Sequence, residues 1–272
     1  MPGIKFAHLT DTHILCDYTD CFLWDVFSRI TDPNEKLVAC LENIRRENTD
    51  FVIITGDLVH GGTRKDYGHF KALLEKHLPG VPVLAALGNH DRKEEFYRGY
   101  LDRDKSGAYY YQQTVGGLRV VALDSSVDGK DRGAISSEQI EWLKDVLKTP
   151  APRGTILIFH HPVVWSDPIF SMEAPEFGEA VKNTDVIGIF CGHTHYNNTF
   201  EFEGIPQIVG DSTAFAGIFN MDTNAFMDKA AYNLCVADNG KISVHNELVY
   251  PEITGRLDLN PKMVIEYMNN EN

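Results

Sequence analysis

The sequence predicts an α/β fold. Apolar runs of strand length recur at 4–9, 51–55, 83–87, 118–123, 155–159 and 186–191, each bounded by Gly, Asp or His. Amphipathic segments of helical period alternate with the early runs, the pattern of strand–helix–strand units. At 272 residues the chain can bury an ample core without disulfide or metal staples.

The first run, IKFAHL, reads as a buried strand, and residues 14–30 after it read as an irregular insertion rich in aromatics. Asp32-Pro33-Asn34-Glu35 has the form of an N-cap with proline at the first helical position and Glu35 two residues later, opening a helix through about Arg46. The strand at 51–55 is followed by a helix at 64–77, and the strand at 83–87 by a helix at 93–101. Residues 109–115 and 118–123 flank Gly116-Gly117 as a hairpin, and 136–148 reads as a helix with Ser136 as its cap and Gln139 three residues on. After the strands at 155–159 and 186–191, a second hairpin pairs 231–236 with 241–248 around Asp238-Asn239-Gly240. No repeat or linker divides the chain, so one domain is expected over 1–250, with 251–272 as a tail or arm.

A net charge of −14 and a pI near 5.2 repel polyanions, which argues against nucleic acid or an anionic membrane as partner; a small anion held by metal stays compatible. Five cysteines without a CxxC pair are expected to be free thiols, although Cys16 and Cys21 are near enough in sequence to pair in an oxidising compartment. The chain enters a strand without a charged and apolar leader, and no apolar stretch reaches the roughly 18 residues of a membrane span, so the cytoplasm is the expected location. The aromatics of the insertion and of the late hairpin region leave room for a homo-oligomer.

The residues able to do chemistry fall just after the predicted strands. Asp11-Thr12-His13 follows the first, Gly56-Asp57 the second and Gly88-Asn89-His90-Asp91 the third; His160-His161-Pro162 and Gly192-His193-Thr194-His195 follow later ones. Ligands bind at the carboxyl ends of strands in open α/β sheets. Six of the eleven histidines lie in these segments, beside Asp11, Asp57 and Asn89, a nitrogen and oxygen set suited to divalent metals rather than to a serine or cysteine nucleophile. Asp11 with His13, and His193 with His195, are spaced to chelate, and Gly56, Gly88 and Gly192 are expected to let the backbone turn sharply with positive φ.

This ordered set, Asp11-x-His13, Gly56-Asp57, Gly88-Asn89-His90-Asp91, His160 and Gly192-His193-x-His195, resembles the calcineurin-like metallophosphoesterase superfamily. Its motifs span about two thirds of the chain. The compact size, GNHD, His-His-Pro and GHTH bring it closest to the branch of class III cyclic nucleotide phosphodiesterases and bacterial glycerophosphodiesterases. The resemblance implies a four-layer α/β/β/α sandwich of two mixed sheets flanked by helices. It also implies two divalent ions, manganese, iron, zinc or cobalt: one held by Asp11, His13, Asp57 and His195, the other by Asp57, Asn89, His160 and His193. Of the His-His pair, His160 at the strand end is taken as the ligand and His161 as a pocket residue.

Such a centre implies hydrolysis of a small phosphodiester by a hydroxide bridging the two ions. His90 is the candidate donor of a proton to the departing oxygen, with Asp91 to orient it. His60, Asn89 and His161 are candidate substrate contacts, and Tyr18, Phe22, Trp24, Phe215 and Phe219 candidate walls for a base or apolar group. A phosphomonoesterase or nucleotide pyrophosphohydrolase is the rival enzyme; Arg64, Lys65, Arg92 and Lys93 would serve it if they converged on a terminal phosphate. An inactive scaffold of the same fold would be marked by lost ligands, and none is lost. A single-zinc amidohydrolase would show His-x-His after the first strand and a more regular strand–helix alternation.

Overall fold

The computed structural model describes residues 2–21, 23–165, 170–172, 176–219 and 224–251; the expectations for Phe22 and for 252–272 lie outside them. The chain runs through β1 (Ile4–Leu9), α1 (Trp24–Phe27), α2 (Pro33–Arg46), β2 (Phe51–Thr55), α3 (Arg64–His77), β3 (Val83–Ala86) and α4 (Lys93–Gly99). It continues through β4 (Tyr111–Val115), β5 (Leu118–Ala122), α5 (Ser137–Leu147), β6 (Thr155–Ile158), α6 (Phe177–Val181) and β7 (Val186–Cys191). It ends in β8 (Asn198–Phe202), β9 (Ile205–Val209), β10 (Ala216–Phe219), β11 (Asn224–Met227), β12 (Ala230–Asp238) and β13 (Lys241–Tyr250).

Helix α2 starts as its sequence dictates: the Asp32 carboxylate accepts the Asn34 amide at 2.8 Å, and Pro33 occupies the first position. Its buried Leu37, Cys40, Leu41 and Ile44 recur at helical spacing and face one sheet. Helix α3 opens with a capping box that the sequence reading passed over, the Thr63 hydroxyl and amide both donating to Asp66 at 2.8 Å.

Two large mixed sheets stack face to face. The first has the order β13-β12-β1-β2-β3, with β1, β2 and β3 parallel; the second runs β4-β5-β6-β7-β9-β8, with β5, β6, β7 and β9 parallel. Phe6, Phe51 and Leu84 of the first sheet meet Val120, Ile158 and Phe190 of the second in a dry central layer. Helices α2, α3 and α4 cover the outer face of the first sheet, and α5 with α6 that of the second. This is the α/β/β/α sandwich, and it brings the carboxyl ends of β1, β2 and β3 beside those of β6 and β7.

Both expected hairpins form, as β4–β5 and β12–β13. Strands 83–87, 118–123 and 155–159 each end one residue earlier than expected. Four further features were not foreseen: α1 inside the insertion, α6, the β8–β9 hairpin and the two-stranded β10–β11. Strand β8 is polar and largely exposed, and β9 contains Pro206 and Gln207, so neither presents the apolar run that marks a buried strand. Pro206 is tolerated because pairing of β9 with β7 begins only at Gln207.

Candidate metal centre

The loops after β1 and β2 are stitched together: Asp11 donates its amide to the Gly56 carbonyl at 3.1 Å, and His13 to that of Asp57 at 2.9 Å. Asp11, His13, Asp57, His193 and His195 all adopt positive φ, between 47° and 73°, a region that non-glycine residues seldom occupy and that costs each about 1 kcal/mol or more. The turns throw these five side chains inward. Gly56 shares the left-handed conformation at φ 92°, as expected. Gly88 and Gly192 do not; they are required for space, since a Cβ on Gly88 would lie 2.2 Å from Asp57 Oδ1 and one on Gly192 1.9 Å from Thr10 Oγ1.

Lone pairs converge on one point. His195 gives its Nδ1 hydrogen to the Phe215 carbonyl at 2.8 Å, so its Nε2 carries a lone pair; that Nε2 lies 3.1 Å from His13 Nε2 and 3.2 Å from Asp11 Oδ1. Asp11 Oδ1 is buried and has no hydrogen-bond partner. A few ångströms away His160, whose Nδ1 donates to the Thr55 carbonyl at 2.8 Å, turns its Nε2 to Asn89 Oδ1 at 3.1 Å and Asp57 Oδ2 at 3.2 Å. Asp57 Oδ2 stands between the two groups, 3.7 Å from His13 Nε2. Acceptors packed against acceptors in a buried site repel one another unless a cation sits among them, so the donor set fits divalent metal.

Electrostatics agree. Burial alone would raise the Asp57 carboxyl, but the imidazoles of His160, His90 and His13 outweigh it and hold it well below the usual range. Burial would lower His160, yet Asp57 and Asp11 lift it to about 9, so that without metal its proton is the counter-charge of the two carboxylates. Burial lowers His13 well below its ordinary value and His60 to about 4, keeping both rings neutral.

The metal-ligand, proton-donor and substrate-contact candidates named from the sequence lie in this region, at different depths. The His193 ring lies edge-on to His160 and tilted against His161, with ring centroids 5.1 and 4.5 Å away, and its amide donates to Asp11 Oδ2 at 3.0 Å. His161 has both nitrogens engaged, Nδ1 with Ser125 Oγ at 2.8 Å and Nε2 with the Asp131 carbonyl at 3.0 Å. His60 is buried behind His13 and stacks on His90. The Asp91 carboxylate accepts the amides of Gly88, Leu58 and Val59 and the Tyr67 hydroxyl, clasping the loops after β2 and β3. His90 receives its position through its amide, which donates to Asp57 Oδ1 at 2.9 Å.

Two cavities meet at Asn89 and His90. One, of about 430 Å³, is lined by His13, Asp57, His193 and His195 on one side and by Leu23, Phe170, Phe215 and Phe226 on the other. The second, about 910 Å³, is polar and runs past Thr63, Arg92, Lys93, Ser106 and Ser126. Trp24 is exposed, Tyr18 packs on Phe27, and the Phe219 side chain lies outside the described set. The sequence reading missed Leu23, Phe170 and Phe226, which no local pattern marks, and Ser125, three residues beyond β5 and open to the same strand-end argument.

Residues 4–197 match the calcineurin-like phosphoesterase family. A probable cyclic nucleotide phosphodiesterase of Rhodococcus erythropolis is 34% identical over 229 residues, 81% of this chain and 74% of that one. A cAMP/cGMP dual specificity phosphodiesterase of Mycobacterium tuberculosis is 33% identical over 79% of this chain and 69% of its own length. Among solved structures, a dimetal phosphatase from Danio rerio superposes with a TM-score of 0.62 at 16% identity, covering 92% of this chain and all of that one, a likeness of fold alone.

Proposed function

The chain belongs to the calcineurin-like phosphoesterase family, and from that premise we propose that it is a two-metal phosphodiesterase of small diesters, cyclic nucleotides or glycerophosphodiesters. The observation that carries this reading is the convergence of unshared lone pairs from Asp11, His13, His195 and Asp57 at a buried point that His160 Nε2 also faces. Asp11, His13, Asp57 and His195 would hold one ion, and Asp57, Asn89, His160 and His193 the other. His160 is favoured over His161 as ligand because His160 Nε2 faces two other candidate ligands, Asp57 Oδ2 at 3.2 Å and Asn89 Oδ1 at 3.1 Å, whereas His161 Nε2 faces the Asp131 carbonyl. When bound, two such ions activate water and neutralise phosphoryl oxygens. Manganese, iron, zinc and cobalt all suit this mixed donor set.

The chain's own groups supply the rest. His90, at the junction of the two cavities, is placed to give a proton to the departing alkoxide. Asp91 acts as the clasp that sets the Asn89–His90 turn rather than as a partner of the His90 ring. The face of Leu23, Phe170, Phe215 and Phe226 offers a planar apolar group a wall beside the reacting phosphate, which favours a nucleotide over a glyceryl ester. The monoesterase reading would need the nearby cations to converge: Lys93 is held by the Ser126 carbonyl and Asp128, Arg64 pairs with Asp102, Lys65 is exposed, and Arg92 lines the polar cavity beside Lys93. A net charge of −14 disfavours nucleic acid as partner. No described helix is long and apolar enough to cross a membrane, in keeping with the proposed cytoplasmic location.

The test is hydrolysis of bis(p-nitrophenyl) phosphate against p-nitrophenyl phosphate by metal-stripped protein with manganese restored. Metal-dependent turnover favouring the diester, abolished in Asp57→Asn, is expected. His90→Ala should slow an alkyl diester by about 10²–10⁴-fold and the p-nitrophenyl ester much less, because p-nitrophenolate departs without a proton. Preference for the monoester would move the assignment to a phosphatase, and absence of turnover with metal bound would leave the scaffold reading.

A further inference from the structure

Three histidines at the centre show how their rings are fixed, and one differs from the others. His160 and His195 each anchor Nδ1 on a backbone carbonyl, Thr55 and Phe215, at 2.8 Å. His13 anchors Nδ1 on a side chain, His60 Nδ1, at 3.0 Å. Two ring nitrogens this close form a hydrogen bond only if one carries hydrogen. His13 Nε2 faces the lone pair of His195 Nε2 at 3.1 Å. In the two-metal reading His13 Nε2 keeps its lone pair for an ion, so the His13 hydrogen sits on Nδ1, where His60 Nδ1 accepts it.

The His60 ring is well braced for this task. It is buried, with the Phe27 ring set edgewise at 5.5 Å. The chain on either side is pinned, the Val59 amide by Asp91 Oδ1 at 3.1 Å and the Gly61 amide by the His90 carbonyl at 2.9 Å. The opposite side of the ring lies against His90, with centroids 4.3 Å apart and planes at 25°. His60 thus touches both a proposed ligand and the proposed proton donor, and it lines neither cavity at the centre.

We propose that His60 is a positioning residue: its Nδ1 fixes the tautomer that turns His13 Nε2 into the centre, and its ring seats His90 by stacking. The inference rests on the two-metal reading above. It separates two functions in one side chain, acceptor and stacking surface, and variants can remove them singly.

His60→Phe keeps a ring against His90 but has no acceptor for His13; His60→Asn keeps an acceptor near the Nδ1 position but no ring. The measurement is the affinity of the metal-stripped full chain for Mn²⁺ by calorimetry, with metal-free melting temperature and kcat and KM beside it. His60→Phe is expected to bind the tighter Mn²⁺ about 10–100-fold more weakly at an unchanged metal-free melting temperature. His60→Asn is expected to hold Mn²⁺ within a few-fold of the parent and to lose kcat with KM unchanged. His60→Leu, also without an acceptor, carries the same affinity expectation if the Phe variant does not fold. Parent-like Mn²⁺ affinity in a folded acceptor-free variant overturns the role of His60 and leaves the two-metal reading standing; no Mn²⁺ binding by the parent chain overturns both.

Discussion

Gly192 shows how tightly the centre is set at the scale of single residues. Its neighbours Cys191 and His193 belong to a strand end and to the centre, and its own missing Cβ makes room for Thr10 Oγ1 and Asp11 Oδ2. The Thr10 hydroxyl donates to Asp11 Oδ2 at 2.7 Å and the His193 amide to the same oxygen at 3.0 Å, so the segments after β1 and β7 meet at one atom. Gly192→Ala would place a methyl 1.9 Å from Thr10 Oγ1 and force these apart. The expected loss is about 1–3 kcal/mol in denaturant melts, together with weakened Mn²⁺ binding; a parent-like melt and affinity would show that the contact yields easily. Asp91 teaches the complementary point. From sequence it reads as a partner for His90, but four donors surround its carboxylate, and they come from the loop after β2, the turn after β3 and α3.

Elements carry the centre by their ends, and α3 is the clearest instance because its first turn also ties down the insertion after β1. Asp66 accepts the amide and hydroxyl of Thr63 and, through Oδ1, the Cys16 amide at 2.9 Å. Burial would raise this carboxyl, but the hydrogen bonds from Cys16 and Thr63 outweigh it and lower it. A carboxyl depressed in the folded state contributes stability that is present above its unfolded pKa, about 3.9, and lost as pH falls through the lower folded value. Asp66→Asn should therefore be about 1 kcal/mol less stable than the parent at pH 7, with the gap narrowing below about pH 4. Urea melts of both proteins at neutral and acid pH measure it, and a gap independent of pH would mean that packing rather than charge is lost. The β10–β11 hairpin matters in a similar way: Phe226 on β11 meets Phe215 at 5.5 Å, and Lys36 at the foot binds both the Ala214 carbonyl and Asp228.

For the whole molecule, folding creates the repulsion that metal relieves, so the cost of gathering these groups is stored in the metal-free fold. Mn²⁺ at 100 times its dissociation constant should stabilise the chain by about 2.7 kcal/mol, a rise of several degrees in melting temperature that a chelator reverses. A melting temperature indifferent to Mn²⁺ and chelator would count against a preformed centre. By itself the sequence determined the α/β alternation, the two hairpins and the five segments that carry the candidate ligands. These were legible because they are local: an apolar run of four to six residues has one buried solution, and Asp-x-His or Gly-Asn-His-Asp carries its chemistry in consecutive positions. Only the tertiary structure decided that β1, β2 and β3 belong to one sheet and β6 and β7 to another, so that Asp57 and His160, 103 positions apart by their numbers, lie 3.2 Å from each other. It alone decided that His60 serves His13, that Asp91 clasps loops, and that Leu23, Phe170, Phe215 and Phe226 share a wall. Those outcomes depend on which loops stand side by side when two twisted sheets stack, a long-range packing result that no window of neighbouring residues encodes.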